Sequence, residues 1–349
     1  MPAARITWLD FCRVYTAFMV VLRHVDRWFV GSPSVNYVVD LFNYRSLIFF
    51  FFLASGYFSH RPQPGQWLDI RRARTLVVPY VFWCLLGFVV VYTPAIAAGQ
   101  WGWLSLPKLT AELGLTSWCY WEFSNVPLWF LRTLILLAFF APLLHRLPNK
   151  VLVVLALLCF AWSDVLCNVD AETCKSHGLP RHAQEWLPFR LYESVLAAGF
   201  FAGGILLRRV ADAERLTRWV NAYAWLPVAG ALLLLPAVLG WSFYPPVQSS
   251  ALVLVGVLST LSIGALSLRY LPRFGRAVAA LAPASFFIYV THYPILLSLR
   301  YALTGSWHGS FSPELCYLMP FFITALSVGS FYLLRRLFPR FMCVVALAR

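Results

Sequence analysis

The sequence predicts an all-α fold, a polytopic transmembrane helix bundle of about ten spans with both termini cytoplasmic. Three observations predict it. The 349 residues are 60% hydrophobic and only 12% charged, against about 25% charged in an ordinary soluble domain, and a soluble fold of this size has too little interior to hide so much apolar surface. The apolar residues gather into runs of the ~17–25 residues a helix needs to cross a hydrocarbon core. Finally, Lys and Arg alternate between loops that hold many and loops that hold few. The same composition excludes intrinsic disorder.

Taken in order, the runs are Ile6 to Val30, Val38 to His60, Leu76 to Ala98, Val126 to Leu144, Val151 to Val165, Phe189 to Leu207, Trp219 to Leu239, Val247 to Leu268, Ala277 to Leu299 and Pro313 to Leu334. The fifth is short enough to be tilted or re-entrant. Pro79, Pro127, Pro142, Pro236, Pro283, Pro294 and Pro320 fall at or inside runs, which a bundle tolerates because neighbouring helices satisfy the freed backbone groups. No internal repeat or low-complexity tract is present. The first run carries Asp10, Arg13 and His24 and lacks a small-residue cleavage site, so it reads as a span and not as a signal peptide.

The net charge of +14 would suit nucleic acid only if the basic residues formed a patch on a folded surface. Instead, of 28 Lys and Arg, eighteen fall in one alternating set of loops together with both termini, including Arg71, Arg72, Arg74, Arg208, Arg209, Arg335 and Arg336. Four (Arg27, Lys108, Lys175 and Arg181) fall in the other set, and six (Arg13, Arg23, Arg45, Arg132, Arg190 and Arg300) lie in or at the ends of runs. By the positive-inside rule the first set is cytoplasmic. The charge is therefore mostly orientation, and nucleic acid is not expected as a partner. Cys12, Cys84 and Cys159 lie in apolar runs and act as small hydrophobes. Cys167 and Cys174 share the long outer loop, where a disulfide is permitted. No CxxC or HExxH occurs, so no metal is expected.

An ionisable side chain inside a span costs about 2.5–3.5 kcal/mol on insertion scales and needs a partner or a purpose. Asp10 and Arg13 are i,i+3 neighbours, and His24 follows Arg13 by eleven residues, three turns plus about 20°, or roughly 16 Å along one face. The stripe Asp10, Arg13, Ala17, His24 must face the bundle interior or a water-filled cavity. Asp10 and Arg13 also suit an interfacial ion pair. Ser55-Gly56, at the end of the Phe-rich second run, suits a helix-packing notch, and its hydroxyl can donate or accept. Arg71, Arg72 and Arg74 stand just before Pro79-Tyr80. Three guanidiniums at a membrane surface suit phosphates, whose oxygens they bind bidentately, and they also serve as topogenic charge. Asn125, Trp129, Arg132, Glu193, Tyr289 and His292 are secondary candidates; Arg132 and Glu193 could pair with each other, and His292 could be a second acid/base or bond a carbonyl freed by Pro294.

Trp8-Leu9-Asp10 with Arg13 and then His24, the Phe-rich run into Ser55-Gly56-Tyr57-Phe58, Arg71-x-x-Arg74 before Pro79-Tyr80, NVPLWFL at 125–131 and SFFIYVTHYP at 285–294 together resemble the integral-membrane acyltransferase family 3. The resemblance runs through about residues 5 to 335, in the family's order, and makes residues 1–349 one membrane acyltransferase domain. No extracytoplasmic esterase-like domain is expected after Leu334. The resemblance implies an acyl-CoA donor, acetyl-CoA first among them, and a sugar hydroxyl of a cell-envelope or exported glycan as acceptor. It implies Arg13 and His24 as the catalytic pair, Arg71 and Arg74 as contacts to CoA phosphates, and an acidic residue at Glu314. A sugar hydroxyl needs a general base to attack a thioester, which His24 can supply. Arg13, with Asp10 beside it, could hold the donor, and Ser55 or Tyr57 could donate to the oxyanion. An acyl-His intermediate is equally allowed. Arg72, Tyr57 and Trp129 complete the expected donor-binding set.

The leading reading is thus an O-acetyltransferase of the bacterial inner membrane. Its partners would be a glycan or lipid-linked oligosaccharide, membrane lipids and other polysaccharide-assembly proteins. A transporter or flippase is the competing reading, but such proteins usually show related halves, and none is detected. A scaffold for glycan assembly gives no reason to keep Arg13 and His24 on one face.

Overall fold

The computed structural model describes residues 6–29, 44–60, 62–63, 65–97, 126–168, 191–229, 250–305 and 313–346. Among these the regular structure is entirely helical, with no strand. The long helices are α1 (Thr7–Phe29), α2 (Tyr44–Tyr57), α3 (Ile70–Ala97), α4 (Trp129–Arg146), α5 (Asn149–Asn168) and α6 (Leu191–Val210). After them come α7 (Ala213–Tyr223), α8 (Ser250–Tyr270), α9 (Pro272–Ala280), α10 (Ser285–Thr304), α11 (Pro313–Leu337) and α12 (Pro339–Val345).

Among the described residues, five helices are long and apolar enough to cross a membrane, or six if the bent pair α6 and α7 is one span. They include α3, α4, α8, α10 and α11, and make this an integral membrane protein. Two predicted runs are corrected. The seventh began at Trp219, but Ala213–Tyr223 is an amphipathic helix turned 106° from α6. Asp212 caps it by accepting the Arg215 N–H at 2.8 Å, and a capped polar start favours a new helix over continuation. The remainder of that run, from 230 on, lies outside the described residues. The ninth run began at Ala277, but α9 ends at Ala280 and a 3-10 turn at Ala282–Ala284 precedes α10. Pro283 cannot donate to a continuous ladder, so the span starts afresh. The possible Cys167–Cys174 bridge also lies outside the described residues.

Helix α1 sits at the centre, against α2, α8, α9, α10 and α11. That placement explains how one span can carry Asp10, Arg13 and His24, because its polar stripe is enclosed by other helices instead of lipid. Small residues set the close crossings. A Cβ on Gly56 of α2 would overlap the Phe201 carbonyl of α6, and one on Gly204 of α6 would overlap the Leu53 carbonyl of α2. Gly264 of α8 lies as close to Cys12 and the Trp8 carbonyl of α1. The notch expected at Ser55-Gly56 is therefore present, with backbone approach in place of side-chain interdigitation.

The basic ends of several helices meet at one end of the bundle. Arg209 donates to the carbonyls of Leu147 and His145 at 2.8 and 2.6 Å and to Asn149 Oδ1 at 2.7 Å. Ser59 Oγ donates to the Gly56 carbonyl at 2.6 Å and lies 2.7 Å from His145 Nε2. At the start of α1, Trp8 Nε1 donates to Thr217 Oγ1 of α7 at 3.1 Å. Arginines chosen for topology thus also tie helix ends together. After α11 the chain turns back as α12, which lies against α3. Trp83 Nε1 donates to the Val345 carbonyl at 2.8 Å, and the Phe82 and Phe341 rings stand 5.3 Å apart. Trp83→Phe leaves that buried carbonyl without its donor and is expected to cost about 1–3 kcal/mol, measured as a lower unfolding temperature in detergent.

Candidate active site

A cleft of about 620 Å³ opens between the first halves of α1, α3 and α10 and the flanks of α2 and α4, within the range of about 300–1,000 Å³ common for small-molecule sites. Ile6, just before α1, and Leu9, Asp10 and Arg13 of α1 line it, spaced by three and four residues and hence on one face. Helix α2 contributes Phe51, Ala54 and Ser55, followed by Phe58; α3 contributes Arg72 and Leu76. Phe130, Leu131 and Leu134 of α4 form an apolar wall, and Ser285, Phe286 and Tyr289 of α10 face it. Ala346, at the end of α12, completes the lining.

The charged groups of the cleft are few and specific. Arg13 Nη1 lies 3.6 Å from Asp10 Oδ1, with the Arg13 side chain 43% exposed and Asp10 14% exposed. Arg72 is the second guanidinium. Its backbone N–H is accepted by Asp69 Oδ1 at 2.9 Å, a cap that pins the first turn of α3 beside the cleft. Two guanidiniums against one carboxylate leave the cleft net positive, as an anionic phosphate requires.

His24 stands deeper, eleven residues beyond Arg13 on the same helix, or roughly 16 Å along its axis. Its ring centroid is 5.1 Å from that of His292 and 5.3 Å from that of Tyr293, both on α10. Tyr289 joins the two regions: its side chain lines the cleft, its ring is 6.0 Å from the His292 ring, and its hydroxyl donates to the Pro127 carbonyl at 2.5 Å. A basic cleft thus lies near the start of α1 and a pair of imidazoles about three turns along it, with Tyr289 between them.

Of the residues expected from sequence, Asp10, Arg13, Ser55 and Arg72 are brought together in the cleft. Arg71 and Arg74 are exposed and do not line the cleft. Tyr57 is buried at the α2–α6 crossing, where its hydroxyl donates to the Ala211 carbonyl at 3.2 Å and lies 3.5 Å from Arg208 Nη1. Trp129 is buried, its ring 6.3 Å from Phe52. Glu314 lies in the first turn of α11, but its side chain, like Asn125, is outside the described residues. Arg132 of α4 and Glu193 of α6 are chain neighbours of Thr133 and Ser194, whose hydroxyls meet at 3.2 Å. Sequence reasoning missed Phe286 as a cleft wall, although it lies in the SFFIYVTHYP segment, and it missed Ala346, for which no local signal exists.

Comparisons with known proteins bear directly on this arrangement. Residues 6–335 match the family described as "Acyltransferase domain". Among curated proteins, a succinoglycan biosynthesis protein, ExoH, of Rhizobium meliloti is 28% identical over 295 residues, covering 80% of this chain and 71% of that protein. No solved structure matches significantly. The family match takes in every described helix from α1 to nearly the end of α11 and all of the cleft lining except Ala346. The chain belongs to the acyltransferase domain family and is a membrane-embedded acyltransferase.

Proposed function

We propose that this protein transfers an acetyl group from acetyl-CoA to a sugar hydroxyl of a cell-envelope or exported polysaccharide. The observation that carries the reading is the placement of Arg13 and His24 on one helix, Arg13 lining a net-positive cleft with Arg72 and the His24 imidazole standing about three turns further along. The similarity to a protein named for succinoglycan biosynthesis favours a glycan acceptor. In this reading the bundle has ten spans in a bacterial inner membrane, its basic end is cytoplasmic, and residues 1–349 act as one unit alongside other polysaccharide-assembly proteins.

The donor's phosphates lie against Arg72 and Arg13, and its apolar-walled arm extends past Tyr289 toward His24. His24 removes the proton from the acceptor hydroxyl as that oxygen attacks the thioester carbonyl. The tetrahedral oxyanion collapses with cleavage of the C–S bond, and the His24 imidazolium returns the proton to the departing thiolate. Preorganised donors lower the barrier to such an oxyanion; Ser55 and Arg13 lie in the cleft, about three turns of α1 from His24, and serve donor binding in this reading.

Two measurements test this. Exported glycans from cells with the protein should carry ester-linked groups of acetyl mass that are absent from cells lacking it; identical spectra overturn the reading. Arg72→Ala should raise the KM for acetyl-CoA about tenfold, the equivalent of one charge-assisted hydrogen bond. Arg71→Ala and Arg74→Ala, at exposed positions outside the cleft lining, should shift it less than about threefold. An equal effect at all three positions would show that a diffuse positive field, and not the cleft, holds the donor.

A further inference from the structure

The second histidine of the site has a geometry that its location alone does not explain. His292 is fully buried, and its Nδ1 lies 2.6 Å from the Tyr289 carbonyl and 3.2 Å from the Ile288 carbonyl of its own helix. Carbonyl oxygens only accept, so Nδ1 carries the hydrogen. In the neutral ring Nε2 is then an acceptor. Nε2 is buried and makes no hydrogen bond among the described residues. Because Nδ1 faces back along α10, Nε2 projects away from that helix, and the imidazole standing 5.1 Å away, tilted by 42°, is His24. Two rings at that separation can bring their nitrogens to hydrogen-bond distance with a small change of χ2, a broad torsion for histidine.

We infer that His292 is a positioning residue for His24: its Nδ1–H is held by the Tyr289 carbonyl, and its Nε2 accepts the N–H of one His24 nitrogen, leaving the other His24 nitrogen unprotonated and aimed at the acceptor hydroxyl. This rests on the reading of His24 as the general base. The logic is that of a base oriented by a third group, with an imidazole in place of a carboxylate. When His24 takes the acceptor's proton, the bond from its far N–H to His292 becomes charge-assisted and strengthens. No proton leaves His24 for His292, so the same proton is available to the thiolate.

The two amide isosteres of histidine separate this role from a structural one. Asparagine places a donor where Nδ1 stood and nothing where Nε2 stood; glutamine places a polar atom near the Nε2 position and gives up the bond to the Tyr289 carbonyl. If His292 only braces α10, His292→Asn should be the benign change. If it positions His24, His292→Asn should lower kcat at least about tenfold with the KM for acetyl-CoA unchanged, and His292→Gln should recover at least about a third of the wild-type kcat. The assay uses membrane vesicles bearing the full chain, radiolabelled acetyl-CoA, and the glycan fraction of cells lacking the protein, with each variant matched for membrane abundance. In the His24→Ala background His292→Asn should cause no further loss. Wild-type kcat for His292→Asn, or equal loss in both isosteres, overturns the positioning role while leaving His24 as base. Full activity of His24→Ala overturns the base itself.

Discussion

His24→Ala is expected to lower acyl transfer by about 10²–10⁴-fold, the usual contribution of a positioned general base, while the protein still reaches the membrane at normal abundance. The small loss in stability follows from its surroundings. His24 is only half-buried, and its ring meets His292 and Tyr293 of α10. Ester-linked acetyl on exported glycans, measured against the variant's abundance in isolated membranes, reads both quantities. The KM for acetyl-CoA should change little, because the cleft that holds Arg13 and Arg72 lies about three helical turns away. Undiminished acetylation would remove His24 from the mechanism, whereas a lost membrane signal would make it a structural residue.

The second large effect is on the scaffold. Gly56→Val and Gly204→Val each place a branched side chain against backbone of the opposing helix, the Phe201 carbonyl in one case and the Leu53 carbonyl in the other. Overpacking costs typically 1–3 kcal/mol when side chains can yield. Backbone cannot rotate away, so each change should reach about 3 kcal/mol or more and force α2 from α6. Because Phe51, Ala54 and Ser55 on α2 line the cleft, activity should fall with stability. Gly329 of α11 provides the control, as nothing stands within 4 Å of a Cβ built there; Gly329→Ala should not lower the unfolding temperature, since alanine favours a helix interior over glycine. Melting of the purified chain in detergent compares all three. Equal melting of Gly56→Val and wild type would contradict the close crossing.

Much of this protein was legible in its sequence, and for a simple reason. A bilayer penalises polar groups so strongly that long apolar runs and the few charges inside them carry meaning by themselves. Nine of the ten predicted runs have a described helix along most of their length, and two of the ten shifted at a boundary. The two that shifted are places where a local signal competed with hydropathy: Asp212 capping a new amphipathic helix, and Pro283 ending the ladder ahead of α10. Asp10, Arg13 and His24 stood out because ionisable residues at helical spacing in an apolar run require enclosure, and α1 is enclosed by five other helices.

The arginines show the limit. Arg71, Arg72 and Arg74 are equivalent as a sequence cluster, and helical rotation alone decides which one enters the cleft. The cap at Asp69 is local, but the rotation is set by packing of Leu76, Tyr80 and Trp83 into the core, contacts whose partners are distant in the chain. Tyr57 likewise reads as a hydroxyl beside the site, yet the crossing at Gly56 turns it to Ala211 and Arg208. Ala346 offers no signal at all, because only the return of α12 along α3 brings it to the cleft.

The sequence by itself therefore determined the class of the molecule and the residues that burial would make expensive, since both follow from transfer of groups between water and hydrocarbon and are local in the chain. Only the tertiary structure decided which charges meet. The pairing of His24 with His292 joins positions 268 residues apart, and the cleft draws on six helices. Such encounters depend on helix rotation and on where glycine lets two backbones touch, and neither is written in the composition of any single span.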